Sequence, residues 1–379
     1  MSNPIQMSSP PPIDERELVS LFLRLAEING PSLAESAVVE ALIRCLSSDR
    51  VNCRVDDAAK QVNGDTGNLI VTKAGIGEPL LLMAHLDTVT PTAELRPIVE
   101  NGIIRSSGNT ILGADDRAGV AAICLLFKEL ERSGRPHRPL EVVFSVGEEL
   151  GMLGAMALDY SQLSARSGYI LDASRPVGSY VARTPSAVDI NMTFSGRAAH
   201  SGVAVEQGIN ALSIALETLK AFPVGRLDDE TTANIGVIEG GSAVNVVPET
   251  VTASGEIRSF SDETIDKQCQ LLKETAQRTA EAAGGTVCID CFKAFQGFEL
   301  PYDLDVVQNL HRACAQLDLP FEAVTHYGGS DANVVNAKGI HALNLGVGVN
   351  QPHAKTESIA VADLVNTTKL LFELVRVDV

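Results

Sequence analysis

The stretch Pro79-Leu-Leu-Leu-Met-Ala-His85-Leu-Asp87-Thr-Val89 sets the architecture of this chain. Its apolar run, Leu80 to Ala84, has Pro79 in front and turn-like residues, Thr88 to Thr92, behind. A short run without polar alternation is expected of a strand buried on both faces of a parallel sheet. In open α/β sheets ligands bind outside the carboxyl ends of the strands, and this strand ends in His85 and Asp87. Residues i and i+2 of a strand point the same way, so Asp87 can orient His85 or sit close behind it. A lone His-x-Asp describes many ordinary loops. Its weight here comes from four more segments that end in the same kind of residue.

Outward from that stretch, strands and helices alternate. Ile13 to Leu46 reads as helical with a break at Gly30-Pro31, and Gly67 to Thr72 as a strand. Gly113 opens a loop through Asp115 and Asp116, after which Arg117 to Leu130 is a strongly apolar helix ending near Gly134. Glu141 to Val146 and Gly168 to Leu171 read as further strands, the first ending at Gly147-Glu148-Glu149-Leu-Gly151 and the second at Asp172. Such alternation predicts a parallel sheet with right-handed crossovers. From about Thr184 the pattern changes, and Val188, Ile190, Met192 and Phe194 alternate as in a sheet with one wet face.

The next elements are a helix over Asn210 to Phe222, strands over Ala233 to Ile238 and Thr250 to Ile257, a helix capped by Ser261, and a strand over Thr286 to Phe295. This βαββαβ order is that of a ferredoxin-like unit. The α/β pattern returns at Asp303 to Leu317, His341 to Leu345 and Ala360 to Val375. The expected fold is therefore α/β, a mixed and mainly parallel sheet with flanking helices, interrupted by an inserted ferredoxin-like α+β lid. The expected boundaries are 1–183 and 298–379 for the catalytic, metal-binding domain and 184–297 for the lid and dimerisation domain.

Composition narrows the functions. With 379 residues, 45% hydrophobic and 21% charged, the chain is of globular type and long enough for two domains. A net charge of −18 opposes binding to nucleic acid or anionic lipid. Trp is absent and aromatics make up 4%, which argues against stacking platforms for bases or sugars. No apolar run approaches the roughly 18–20 residues that span a bilayer. Met1 to Pro12 is polar and Pro-rich, without the basic and apolar regions of a signal peptide, and reads as a loose lead-in. Seven scattered cysteines suit a reducing compartment and a cytoplasmic location. Cys288-Ile-Asp-Cys291 has CxxC spacing, but on an alternating strand the two sulfurs face opposite sides and no second CxxC exists, so both read as packing residues.

The polar residues at the strand ends are His85 and Asp87, Asp115 and Asp116, Glu148 and Glu149, Asp172, and His353. Two histidines with three or more carboxylates are donors for a first-row metal, most simply zinc. Five ligands with one shared carboxylate accommodate two ions about 3.5–4 Å apart, and a water bridging them loses a proton near neutral pH. Adjacent Glu148 and Glu149 cannot face one metal in the same way, so one can ligate while the other holds the water as general base.

His85-Leu-Asp87, Gly113-Ala-Asp115-Asp116, Gly147-Glu148-Glu149-Leu-Gly151, Leu171-Asp172 and Pro352-His353 resemble, in order, the motifs of the dizinc exopeptidases, the family of peptidase T, carboxypeptidase G and the aminoacylases. The resemblance implies His85, Asp115, Glu149, Asp172 and His353 as ligands of two Zn²⁺ per chain, with Asp115 bridging and Co²⁺ or Mn²⁺ able to substitute. It implies Glu148 as general acid/base and Asp87 as the carboxylate that orients His85. Gly196-Arg-Ala-Ala-His200-Ser-Gly202 resembles the family's lid histidine, which stabilises the oxyanion. Asn245, within Gly240-Gly-Ser-Ala-Val-Asn245, and Arg258 resemble its substrate-contacting asparagine and carboxylate-gripping arginine. Gly328-Gly-Ser330-Asp331 resembles the loop that lines the substrate pocket.

Arg117 after the Asp-Asp pair (where Lys is usual), Asp rather than Glu at 172, and a short lid point to the peptidase T branch. The resemblance thus implies a tripeptidase-like metallo-aminopeptidase of short peptides, acting through a metal-bridging hydroxide with Glu148 as base. A homodimer through the lid is expected, an edge strand such as Ala187 to Phe194 being able to pair between subunits. The alternatives are an N-acyl- or N-carbamoyl-amino-acid amidohydrolase on the same dimetal site and, more remotely, a non-catalytic binding protein. His326 is a candidate substrate contact; His137, His311 and His341 read as loop, helix-face and strand residues.

Overall fold

A computed structural model describes residues 12–377, so the reading of the N-terminal lead-in falls on residues outside those described, apart from Pro12. The chain divides into two units: 1–183, 299–326 and 330–379 form the first, and 184–298 with 327–329 the second.

The first unit is built on a mixed sheet. Across it run Val51–Val55, Leu69–Lys73, Leu140–Ser145, Leu80–His85, Ser167–Ala173, His341–Gly346 and Ser179–Thr184, with Glu322–Thr325 also pairing with Ser179–Thr184. Leu80–His85 is parallel to both neighbours, and Ser167–Ala173 is parallel to His341–Gly346. Four adjacent strands thus send their carboxyl ends to one side. Leu80, Leu81, Leu82, Met83 and Ala84 are all 0% exposed, as the unbroken apolar run predicts. Each large side chain so buried contributes about 1.5–3 kcal/mol of transfer free energy.

The helix Ala114–Ser133 packs on strands 80–85 and 167–173 and against the helices Glu15–Ala26 and Val361–Val375. It is apolar nearly all round from Ala118 to Phe127, the pattern of a helix with no wet face. Gly134, at φ +61°, ends it and donates to Leu130 O. A four-stranded sheet of very short strands, Pro97–Glu100, Ile103–Ser106, Val349–Asn350 and Ser358–Ala360, was not anticipated. Strands of two to four residues carry too little alternation to read. This sheet holds both ends of the loop that bears His353.

The second unit has the βαββαβ order, with helices Ala211–Ala221 and Asp262–Ala283 packed on one antiparallel sheet. Its core is formed by Ile190, Met192, Phe194, Ile214, Ile257 and Leu272 among others, all at most 2% exposed. Strand Ser186–Ser195 is not an edge, since Thr250–Ser259 and Thr286–Phe295 flank it on either side. Of the CxxC pair only Cys291 packs against the core; Cys288 is exposed on the opposite face of its strand.

Candidate metal centre

His85 closes the central strand and is 2% exposed. Its Nδ1 lies 3.0 Å from the backbone oxygen of Asp87 and 3.3 Å from Asp87 Oδ1. With Nδ1 as the donor to that oxygen, Nε2 is turned the other way, 3.0 Å from Asp115 Oδ1 and 3.6 Å from Asp172 Oδ1. Burial works against the charged imidazole, but hydrogen bonds with Asp115, Asp172 and Asp87 hold its pKa well above the usual value.

Asp115 sits in the first turn of the helix Ala114–Ser133, with φ −82° and ψ 103° that are not helical. Its second oxygen, Oδ2, is 3.5 Å from His353 Nε2, so one carboxylate lies between the two histidines. Burial pushes its pKa up, but hydrogen bonds from His353 and His85 win and leave it below the usual range. Asp172, in the strand Ser167–Ala173, is pushed up to about 7, chiefly by burial. Glu148 and Glu149 form a single 3-10 turn after Gly147, whose φ is +61°. Burial holds the Glu148 carboxyl well above the usual range. His353 is raised to about 10, mainly through Asp115 and then Glu149.

Donor atoms of His85, Asp115 and Asp172 lie within 4.8 Å of one another, as do those of Asp115, Glu149 and His353. A third group is His85, Glu148 and Glu149. The donor chemistry fits two cations sharing Asp115. One observation beyond composition supports the fit: Glu149 Oε1 is buried and accepts no hydrogen bond, although His353 Nε2 is 2.9 Å away. The two atoms are close without hydrogen-bond geometry, as two ligands aimed at a common point would be.

The Asp87 carboxylate, 0% exposed, does more than face His85. Oδ1 accepts the Glu148 N–H at 3.0 Å, and Oδ2 accepts the Glu149 N–H at 3.1 Å and the Ser32 hydroxyl at 2.6 Å. The Gly147 N–H is taken by Glu35 Oε1 at 2.8 Å. Asp116 accepts the His85 and Gly119 N–H groups at 3.2 and 3.0 Å. Glu357 accepts the N–H groups of Gly113 and Asp115 at 2.6 and 3.0 Å. The sequence assigns no role to Ser32 or Glu35, and Glu357 enters it only as the end of the stretch Leu80 to Glu357 that holds the family-like motifs. The one signal they carry is a lone acidic or hydroxyl residue near a Pro or a candidate ligand histidine, which is a common surface pattern.

Ser330 is 5% exposed and caps the helix Asp331–Ala337, its hydroxyl accepting from Asn344 Nδ2 at 3.0 Å. Asp331 bonds the Ser145 hydroxyl, and burial pushes its carboxyl up to about 6. In the second unit, Ser201 N–H donates to Asn245 O at 3.0 Å, which sets His200 beside the Asn245 loop. His200 Nδ1 accepts the Gly202 N–H at 3.1 Å, so Nε2 carries the proton. Arg258 is not a free fork: Nε and Nη2 donate to Glu256 at 3.0 and 2.9 Å, and Nη1 to Tyr327 O at 3.1 Å. His137 is largely buried and bonds Arg138 O, His311 contacts the Tyr302 hydroxyl at 3.1 Å, and His341 opens its strand.

Several known proteins share stretches of this sequence or its fold. Residues 184–283 match the peptidase dimerisation domain, 68–175 the peptidase family M28 and 262–370 the M42 glutamyl aminopeptidase family. The chain is 36% identical to the uncharacterized protein YqjE of Bacillus subtilis (strain 168) over 96% of its own length and 99% of that protein's. It superposes on the crystal structure of aminopeptidase PepT from Bacillus cereus with a TM-score of 0.87 at 34% identity, covering 96% and 98% of the two chains. A tripeptidase from Staphylococcus aureus gives 0.88 at 32%, with the same coverage.

Proposed function

The chain belongs to the dizinc exopeptidases, a family of metallopeptidases, in the peptidase T branch, and on that premise we propose that it is an aminopeptidase removing the N-terminal residue of short peptides, tripeptides foremost. The observation that carries this reading is the Asp115 carboxylate lying between His85 and His353, one oxygen toward each. In our reading His85 and Asp172 hold one cation, Glu149 and His353 the other, and Asp115 both. Bound there, two divalent ions, zinc in the first instance, supply Lewis acidity and bring the pKa of water to about 7.

The chain's own residues do the rest. Glu148 accepts the proton of the attacking water and delivers it to the leaving amine. Asp87 holds the base and the ligand Glu149 in one rigid turn through their N–H groups and orients His85 at the same time. His200, protonated at Nε2, is the donor for the developing oxyanion, and Asn245 stands next to it in the same unit. Arg258 grips the substrate carboxylate only by releasing Glu256 in exchange. Ser330 shapes the pocket wall through its cap rather than through a free hydroxyl. The match of residues 184–283 to a dimerisation domain supports a homodimer through this unit. Among the described residues no helix is long and apolar enough to cross a membrane.

The test is one assay on one sample: tripeptides and N-acyl- and N-carbamoyl-amino acids offered to wild type and Glu148→Ala, with metal content measured in parallel. We expect tripeptide cleavage by wild type, and for Glu148→Ala a loss of about 10²–10⁴-fold in kcat with metal content unchanged. Near-normal turnover by the variant would falsify the assignment of the base. Preference for acylated amino acids would move the chain to the amidohydrolase side of its family.

A further inference from the structure

We infer that Glu357, which belongs to neither set of ligands, is the positioning residue for the second cation, because its carboxylate ties the loop bearing His353 to the loop bearing Asp115. The inference rests on the dimetal reading above and says which of its two positions depends on a clasp.

Glu357 is 1% exposed. Its two oxygens are committed separately, Oε2 to the Gly113 N–H at 2.6 Å and Oε1 to the Asp115 N–H at 3.0 Å, across 244 and 242 residues of chain. Those two N–H groups lie in the non-helical turn ahead of the regular helix, where no helix carbonyl accepts from them. Asp115 itself has non-helical dihedrals, so its place is not fixed by the helix ladder. On the other side, the Glu357 N–H bonds Ala354 O at 2.9 Å and closes the turn after His353. That loop carries two non-glycine residues in the left-handed region, Gln351 at φ 52° and His353 at φ 63°. The His353 side chain is 50% exposed, so packing does little to hold it.

The two cation positions are therefore built differently. His85 and Asp172 stand on paired strands of the buried sheet, and their spacing is set by the ladder. Glu149 and His353 stand on a 3-10 turn and a loop. The turn is held by Asp87 and Glu35, and the His353 loop is tied to the bridging carboxylate by Glu357. Gln at 357 keeps one acceptor oxygen and turns an NH₂ toward the other N–H. Ala leaves both N–H groups buried without a partner.

The experiment titrates the metal-free full chain with zinc at chelator-buffered free concentrations, for wild type, Glu357→Gln and Glu357→Ala, with circular dichroism and thermal melting on the same samples. Wild type should take up two ions. The variants should keep the first at wild-type affinity and bind the second about 10–100-fold more weakly, Ala more so than Gln, with kcat recovering at saturating zinc and KM unchanged. Two ions bound as in wild type by both variants overturns the proposal, as does an equal weakening of both ions, which would mark a general support. If Glu357→Ala does not fold, Glu357→Gln alone decides. Fewer than one ion per wild-type chain would remove the dimetal reading and this inference together, whereas normal wild-type uptake with unaffected variants removes only the inference.

Discussion

Arg117 holds its guanidinium at 1% exposure close to Asp87, donating to the backbone oxygens of Leu86 and, at 3.4 Å, Ile28. Burial lowers its pKa to about 10, while Asp87, Asp116 and Glu35 act the other way, so it stays charged throughout the neutral range. It is the counter-charge to carboxylates that themselves fix the Glu148–Glu149 turn. Removing it strands those charges, and Arg117→Met should cost about 3–5 kcal/mol in urea unfolding of the metal-free chain. Arg117→Lys should cost less than half of that, since the charge remains and the planar fork is lost; equal costs for the two would show that packing, not charge, is what Arg117 supplies. At this scale the sequence was readable wherever a residue's type announces chemistry at a strand end, as with His85, Asp115, Glu149, Asp172 and His353, which the structure draws together. Glu35 and Glu357 were not readable. Each acts on backbone N–H groups 112 to 244 residues away, and nothing local distinguishes it from a solvated glutamate.

The elements that were legible are the long, strongly patterned ones. The strand Leu80–His85 and the helix Asp262–Ala283, with its Ser261 cap and Gly284 stop, sit where apolar spacing and capping residues place them. The regular part of the helix Ala114–Ser133 begins at Arg117, where its apolar run begins, because Asp115 and Asp116 ahead of it have non-helical dihedrals. The short strands around the His353 loop escaped for want of a pattern. Gly119 lies where the helix Ala114–Ser133 meets the strand Ser167–Ala173. A Cβ on Gly119 would lie 2.6 Å from Asp116 Oδ1, 2.7 Å from Leu171 O and 2.8 Å from Leu171 Cβ. The helix can approach the strand that bears Asp172 only because residue 119 has no side chain. Gly119→Ala should therefore destabilise by about 1–3 kcal/mol despite its gain in helix propensity. It should also weaken zinc at the His85–Asp172 position more than at the other, the reverse of the Glu357 variants. A chain as stable as wild type in urea, with unaltered zinc binding, would mean that the helix shifts freely.

For the molecule as a whole, the proposed homodimer calls for a pairing surface other than the strand Ser186–Ser195, which is interior. In the second unit's sheet, Thr231–Gly240 is bonded to Thr250–Ser259 on one side, while on the other Gly225–Arg226 reaches only Thr232 and Ala233. Among the described residues, the stretch from Asn234 to Gly240 therefore has no strand paired on that side. Val237 and Ile238 on it are 51% and 44% exposed, and Val244 in the turn beyond it is fully exposed. The opposite edge, Thr286–Phe295, carries Asp290 and Lys293, the kind of charges that discourage strand addition. Despite a bulge at Gly236 and the exposed Glu239, this edge offers the β-branched Val237 and Ile238, and in a unit matching a dimerisation domain it is where a two-fold axis can join two sheets. Val237→Lys, which places a charge on that edge without touching the unit's core, should raise the dimer dissociation constant at least about tenfold, equivalent to 1.4 kcal/mol. Sedimentation velocity across a concentration series measures this directly, with Asp290→Lys, which keeps a charge on the opposite edge, as the control expected to change nothing. If the Val237 variant sediments as wild type, the pairing edge lies elsewhere on the unit.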